Sequence, residues 1–428
     1  MNSTLSRFFY STLLRLATPV YLARLRWRGF KEPLYRTHWG ERLGYGPDSE
    51  PGAVWIHAVS LGETRAAQAL VEALRAIEPD VRLLLTHGTA TGREAGKTLL
   101  QPGDTQVWLP YDTPGAVKRF LARHRPAVGV LMETEIWPNL LHAAQSAGLP
   151  MLLANARLSE RSSRKGGRFA SLLRPAVESL DTVLAQTPDD AGRLREAGAR
   201  VVKVMGNLKF DMTPPARMVA RGLQWRQTLA RPVVVAASTR EGEEALLLRA
   251  WSGLPSPRPL LVIVPRHPQR FDEVAALVRN AGWSLLRRSA FPDGPPAAAA
   301  QVDVWLGDTM GEMPTYYGMS DVALLGGSFE RLGGQNLIEA CACGCPLVMG
   351  PYTFNFELAA HMALAAGAAR RVDDIVEGVA TAAAIAADVN RNEWVQRAFA
   401  FAKAHRGAAE RMAGEVLMVR NARGLIGR

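Results

Sequence analysis

Ala53-Val-Trp-Ile-His-Ala-Val-Ser-Leu-Gly-Glu63 sets the reading of the first half of the chain. Residues 53–59 form a near-continuous apolar run, the pattern of a strand buried on both faces of a parallel sheet. Ser60, Leu61 and Gly62 make a tight loop, and the apolar spacing over residues 64–77 then becomes that of an amphipathic helix. A strand, a short loop and a helix form the basic unit of a doubly wound α/β fold.

The same unit recurs outward from this stretch. Strands are expected at 81–86, 106–109, 127–132, 151–154 and 182–185, with helices at 91–100 and from about Pro138. A polar, proline-containing stretch at 211–231 reads as a junction. A second series of strands follows at 233–237, 260–264, 302–306, 322–325 and 346–349, each leading into a glycine-rich or polar loop. The fold class expected is α/β, with two doubly wound Rossmann-like domains facing a cleft. Ligands in such sheets bind beyond the carboxyl ends of the strands, which makes the cleft the default active site.

The 428 residues exceed what one core organises efficiently, roughly 250–300 residues, in agreement with two domains. A hydrophobic share of 48% and a charged share of 21% are ordinary for a globular chain. The net charge of +11 calls for an anionic partner: nucleic acid, acidic lipid or a phosphorylated substrate. Neither zinc-finger spacing nor a single-strand-binding aromatic motif is present, which ranks nucleic acid low. Cys341, Cys343 and Cys345 lie in an apolar stretch without a nearby histidine or fourth thiol, so they read as buried, reduced core residues and no metal site is expected.

Residues 1–30 carry five arginines and no acid. Leu5, Phe8, Phe9, Leu13, Leu16 and Val20 recur at helical spacing, whereas Arg15 and Pro19 weaken a spanning helix. The expectation is a basic amphipathic helix lying on an anionic membrane surface, with an ordinary packed helix or a short signal anchor as the alternatives.

Several strand ends carry residues suited to chemistry. Glu63 opens a helix, whose positive end favours an ionised carboxylate able to act as a general base; the plainer reading is a first-turn acid. Met132-Glu-Thr-Glu-Ile-Trp-Pro138 puts Glu133 and Glu135 at another strand end. Lys209, in Gly206-Asn-Leu-Lys-Phe-Asp211, is placed to neutralise an acidic sugar or a leaving phosphate, or else is a solvated surface lysine.

Leu325-Gly-Gly-Ser-Phe-Glu-Arg-Leu-Gly-Gly-Gln-Asn-Leu-Ile-Glu-Ala340 reads as strand, glycine loop and a helix starting near Gln335. Glycines and a helix start suit a phosphate, and Glu339, one turn beyond Asn336, suits ribose hydroxyls. Pro265 and Arg266 close the strand at 260–264, and Gly307-Asp-Thr-Met-Gly-Glu-Met313 ends another, with the backbone of Met310, Gly311 and Glu312 available to a base or phosphate. Together these three segments read as a nucleotide site. No D-x-D triplet occurs, and arginine, lysine and a helix end can stabilise a leaving monophosphate instead.

Taken in order, Trp-Gly-Glu-Arg-Leu-Gly (39–44), HAVSLGE (57–63), METEIWPN (132–139), NARLSERS (155–162), GNLKFD (206–211), PRHP (265–268), GDTMGEM (307–313), GGQNLIEA (333–340) and MGPYTFNF (349–356) resemble the Kdo (3-deoxy-manno-octulosonic acid) transferases of lipopolysaccharide biosynthesis. The resemblance spans nearly the whole chain. It implies a glycosyltransferase-B fold: a membrane-associating helix at 1–30, an acceptor domain at 31–215, and a CMP-Kdo domain at 216–428 whose last helix, within 393–420, crosses back onto the first domain. It also implies inverting transfer of Kdo from CMP-Kdo to a lipid A precursor, without a metal or cofactor, at the cytoplasmic face of the inner membrane. By motif, Glu63 is the implied base and Glu133 and Lys209 the implied transition-state stabilisers. Pro265, Arg266, Met310, Gly311, Glu312, Asn336, Leu337, Ile338 and Glu339 are the implied CMP contacts. Two rival readings fit parts of the pattern. A UDP-dependent transferase or epimerase of the same fold would prefer UDP to CMP, and a peripheral lipid-binding module would bind lipid without releasing CMP.

Overall fold

Two seven-stranded, wholly parallel sheets organise the chain, as seen in a computed structural model that describes residues 3–292 and 294–426. The molecule divides into two compact units, Met1–Met212 with Arg406–Arg428, and Thr213–His405.

The first unit holds β1 (Val54–His57), β2 (Leu83–His87), β3 (Thr105–Trp108), β4 (Val128–Met132), β5 (Met151–Ala156), β6 (Thr182–Ala185) and β7 (Val202–Val204), in the order β3-β2-β1-β4-β5-β6-β7. β1, β2 and β4 are buried along their whole length, which explains their unbroken apolar sequence. The strand order reverses between β1 and β4, and the carboxyl ends at such a switch point are where open α/β sheets bind ligands.

The second unit holds β8 (Val233–Thr239), β9 (Leu260–Pro265), β10 (Leu285–Arg287), β11 (Val304–Leu306), β12 (Val322–Leu325), β13 (Leu347–Met349) and β14 (Ala369–Arg371), in the order β10-β11-β9-β8-β12-β13-β14. Its switch point lies between β8 and β12.

Three features depart from the sequence reading. The stretch 211–231 is not a plain junction: residues Ala216–Leu229 form a helix of the second unit. Gly222, Trp225 and Leu229 are its buried face, obscured in sequence by Arg217, Arg221 and Arg226. A side chain at Gly222 would come within 2.2 Å of the Thr315 carbonyl oxygen, so glycine allows this helix to lie close against Met313–Met319. The edge strands β7, β10 and β14 were not anticipated; each has three residues, only partly buried, too short for a visible alternation. Finally, the helix expected from Gln335 is Leu337–Ala342, capped by Asn336.

The chain returns to the first unit at Arg406, and the helix Ala408–Ile426 packs there. Ala408, Met412, Val416 and Leu417 join the core that contains Val54, Ile56, Leu70 and Leu74. Asp211 caps this helix by accepting hydrogen bonds from the backbone N–H groups of Gly407 and Ala409, the latter at 2.7 Å.

The N-terminal helix Ser3–Arg28 docks through polar groups. Ser6 donates to Ser171 at 2.9 Å, Ser11 to Asn139 at 3.0 Å, and Tyr10 to Asp112 at 3.0 Å. Leu5, Phe8, Phe9, Leu13, Leu16, Val20 and Trp27 are instead exposed. Among the described residues, no helix is long and apolar enough to cross a membrane.

Candidate active site

Glu63 sits in the first turn of the helix Leu61–Ile77, immediately beyond β1. Ser60 is the N-cap. Its Oγ accepts from the Glu63 N–H at 3.4 Å while its hydroxyl donates to Glu63 Oε1 at 3.1 Å, and the Val59 N–H donates to Oε2 at 2.9 Å. This reciprocal pattern is a capping box shifted by one residue. Each carboxylate oxygen still keeps a free lone pair for a proton. Burial, and then the charge of Glu133, push the Glu63 carboxyl above its ordinary range, which makes it a stronger base than a free glutamate.

Glu133 follows β4, across the switch point from Glu63. Its backbone is left-handed, φ +56°, a conformation that costs a non-glycine residue about 1–3 kcal/mol. Backbone bonds hold it there: the Glu133 N–H donates to Ala154 O at 2.9 Å and the Arg157 N–H to Glu133 O at 3.3 Å. The side chain is buried and shared by two cations, with Lys209 Nζ 3.7 Å from Oε1 and Arg157 Nε 3.3 Å from Oε2. Lys209 is carried by the short turn Leu208–Phe210, whose flanking Leu208 and Phe210 are buried. Asn207 accepts from the Lys209 N–H at 3.0 Å, and the buried Asn155 accepts from the Leu208 N–H at 3.1 Å. The three candidates Glu63, Glu133 and Lys209 are therefore gathered at one edge of one sheet.

Sequence reading gave no role to Arg157 or Asn155, although both lie in the NARLSERS block; no local signal shows that this loop returns beside Glu133. Glu135 also joins the group. Burial, then the charge of Glu63, raise its carboxyl to about 7. His57, by contrast, is fully buried with Nδ1 2.9 Å from Thr86 Oγ1, and burial, followed by the His87 charge, lowers it to about 3. It stays neutral near pH 7 and has no acid–base part to play there.

In the second unit, the parallel order puts the loops after β11, β9, β8, β12 and β13 side by side at the carboxyl edge. Pro265 ends β9 opposite Thr239 of β8, and the exposed Arg266 donates its N–H to Thr239 O at 2.9 Å. Met310 is exposed and Gly311, at φ +80°, has open space where a side chain would stand. The Glu312 carboxylate points the other way, held 2.6 Å from Arg221 and 3.0 Å from Arg288 and bonded by Thr309. Any ligand contact at 310–312 falls to the backbone and to Met310, with Glu312 as the anchor of the loop.

Asn336 Oδ1 accepts from the Ile338 N–H at 3.1 Å, so the cap already uses one donor that the phosphate reading invoked. Leu337 and Ile338 are fully buried core residues. Glu339 is partly buried, and its charge acts on Tyr317 and Cys343. Gly333, at φ +87°, packs against Asn355 and Phe354 so tightly that an added side chain would fall 2.5 Å from each, which joins the loops after β12 and β13. Cys341, Cys343 and Cys345 are buried free thiols, and burial raises all three.

The architecture is the two-domain glycosyltransferase-B fold. Solved structures agree on the fold. A glycosyltransferase from Rickettsia africae covers 87% of this chain and 99% of its own at a TM-score of 0.57 and 11% identity. Anabaena Alr3699/HepE in complex with UDP covers 86% and 99% at a TM-score of 0.56 and 14% identity.

Within that fold, residues 37–212 match the family described as 3-deoxy-D-manno-octulosonic-acid transferase (kdotransferase). The 3-deoxy-D-manno-octulosonic acid transferase of Bordetella pertussis is 51% identical over 84% of this chain and 85% of its own length. That of Haemophilus influenzae is 36% identical over 82% and 83%. The chain belongs to the 3-deoxy-D-manno-octulosonic acid transferase family and is a glycosyltransferase.

Proposed function

We propose that the chain moves Kdo from CMP-Kdo to a lipid A precursor with inversion at the anomeric carbon and without a metal or cofactor. The observation that carries this reading is the Glu63 carboxylate, raised in basicity and set beside the Glu133–Lys209 pair. Glu63 takes the proton of a glucosamine hydroxyl. The oxygen attacks the anomeric carbon of Kdo while the bond from that carbon to the phosphate oxygen breaks, and CMP leaves with the electron pair. Lys209, held in place by Glu133, offers positive charge to the Kdo carboxylate and to the transition state.

In this reading the first unit binds the acceptor and the second binds CMP-Kdo. Pro265, Arg266, the 310–312 backbone and the segment Asn336 to Glu339 form the nucleotide contacts, and Arg266 takes the phosphate. The N-terminal helix rests on the cytoplasmic face of the inner membrane. Its polar docking face and exposed apolar residues, flanked by Arg15, Arg24, Arg26 and Arg28, support insertion among anionic lipids. The helix would keep the enzyme at the surface that holds its lipid acceptor.

The test is CMP release from CMP-Kdo with and without a tetra-acylated lipid A precursor, with mass spectrometry of the lipid. Acceptor-dependent release and a Kdo mass on the lipid are expected. Nucleotide release without a mass gain on this lipid would overturn the acceptor assignment.

A further inference from the structure

Sequence reading gave no role to the end of β8 and the loop that follows it, residues 238–242 (Ser-Thr-Arg-Glu-Gly), which lie at the switch point of the second sheet. The backbone here is constrained. Ser238 is left-handed at φ +55°, unusual for serine, and Gly242 follows at φ +91°. Glu243, buried in the first turn of the helix Glu243–Ser252, pins this loop to the glycine loop after β12. Its carboxylate accepts from the Arg240 N–H at 2.8 Å and from the Gly327 N–H at 2.8 Å. Two loops of the nucleotide edge are thus fixed to each other by one carboxylate.

Arg240 stands on this platform. Its Cγ would lie 3.7 Å from a side chain built on Gly327, so its stem runs over the glycine loop. Two neighbouring acids are committed elsewhere, and the third, Glu241, is exposed and makes no ion pair with Arg240. Glu243 serves backbone N–H groups, and Glu244 bonds Thr239 at 2.7 Å and Arg270 at 2.7 and 3.1 Å. Among the described residues, no acceptor pairs with the Arg240 guanidinium. Its charge, with those of Arg266 and Arg270, reaches His267, where it adds to burial in lowering the imidazole. An uncompensated arginine beside other cations, on a strained loop at a switch point, is the arrangement of a site that receives an anion.

We infer that Arg240 binds the phosphate of the donor nucleotide from the loop after β8, together with Arg266 from the loop after β9. The inference rests on the reading of the second unit as the donor site and adds to it a residue that the matched motifs leave out. Charge on the phosphate increases as the glycosidic oxygen leaves, so Arg240 lowers both the cost of donor binding and the barrier to transfer.

The test is calorimetric titration of the full-length wild type, R240Q and R240K with CMP and with cytidine, alongside CMP-Kdo kinetics. Arg240 is partly exposed, and unchanged thermal melting checks that each variant is folded. R240Q should lose about tenfold to a hundredfold in CMP affinity and in kcat/KM for CMP-Kdo, with cytidine affinity unchanged; R240K should fall between. Equal CMP affinity and kinetics in wild type and R240Q would overturn the inference, as would an equal loss toward cytidine. A wild type that binds another nucleoside monophosphate instead of CMP would refute the donor reading alone. The same comparison with that nucleotide and its nucleoside then decides Arg240. Binding of no nucleoside monophosphate would overturn both.

Discussion

Lys209 Nζ lies 3.7 Å from Glu133 Oε1, and the other oxygen of the same carboxylate faces Arg157. One buried carboxylate thus serves two cations, in a group that also holds the carboxyls of Glu63 and Glu135. Lys209 is only 22% exposed, so its charge is screened less than that of a surface lysine.

Replacing Lys209 by methionine should remove this charge and retain the side-chain length. A fall in kcat of about 10²–10³-fold is expected, from the magnitude typical of a lost transition-state donor. Steady-state kinetics with a melting curve check it. Near-normal turnover in the folded variant would remove Lys209 from the mechanism.

Glu63 has two functions that can be separated. As the capping-box acid it stabilises its helix, and as a carboxylate it accepts a proton. Glutamine preserves the box but not the base. E63Q should therefore melt near the wild-type temperature while kcat falls by about 10²–10⁴-fold. E63A should lose activity and also about 0.5–2 kcal/mol of stability, as cap deletions do. If E63Q retained wild-type turnover, another group would have to be the base.

The pH dependence of activity follows from the same residue. Its carboxyl is raised above the ordinary glutamate value, so the basic form is lost at a higher pH than for a free glutamate. The acidic limb of kcat/KM should lie above the usual carboxylate range. An acidic limb near pH 4 would contradict the raising of this carboxyl by burial and by Glu133.

Glu135 makes a separate prediction about stability. Its folded value of about 7 exceeds the unfolded value, so the folded state binds more protons between about pH 4.5 and 7. Its contribution to stability is therefore greatest at low pH and declines as pH rises through 7. E135Q should gain stability relative to wild type at pH 8 more than at pH 5. Urea denaturation at both values measures the difference, and an equal shift at the two pH values would show that Glu135 is not raised.

The N-terminal helix should bind anionic vesicles through its outward residues. F9E with L16E should weaken binding to phosphatidylglycerol-containing vesicles at least about tenfold while leaving the melting temperature unchanged, because both side chains are exposed. S11L should instead lower stability, since Ser11 is buried against Asn139. Unaltered vesicle binding by the double variant would place the membrane contact elsewhere.

Much of this was legible from local pattern. Fully buried parallel strands must be apolar throughout, and so β1, β2 and β4 stand out in the chain. Strand ends followed by Ser60-Leu-Gly-Glu63 or by Gly326 and Gly327 mark the edge where ligands bind, because only short polar or glycine-rich turns connect such strands to their helices. The 310–312 loop was found this way, whereas Lys209 stood out by its place in Gly206–Asp211 near the domain junction. Arg240 was not found, since Ser-Thr-Arg-Glu-Gly carries no glycine pattern and its significance lies in the strained Ser238 and in the bond from Gly327 to Glu243.

Composition and periodicity are local properties of the chain, and they fixed the number of sheets, their parallel sense and the loops that carry charge. They could not give the neighbour of each strand, because parallel pairing joins segments far apart in sequence. The adjacency of β1 and β4 couples Glu63 to Glu133, and the turn after β7 brings Lys209 to the same carboxylate. Burial is likewise a product of packing: it turns Leu337 and Ile338 into core residues, sends the Glu312 carboxylate to Arg221 and Arg288, and raises Glu135 toward neutrality. Desolvation and Coulomb coupling depend on distance in space, and folding alone sets those distances.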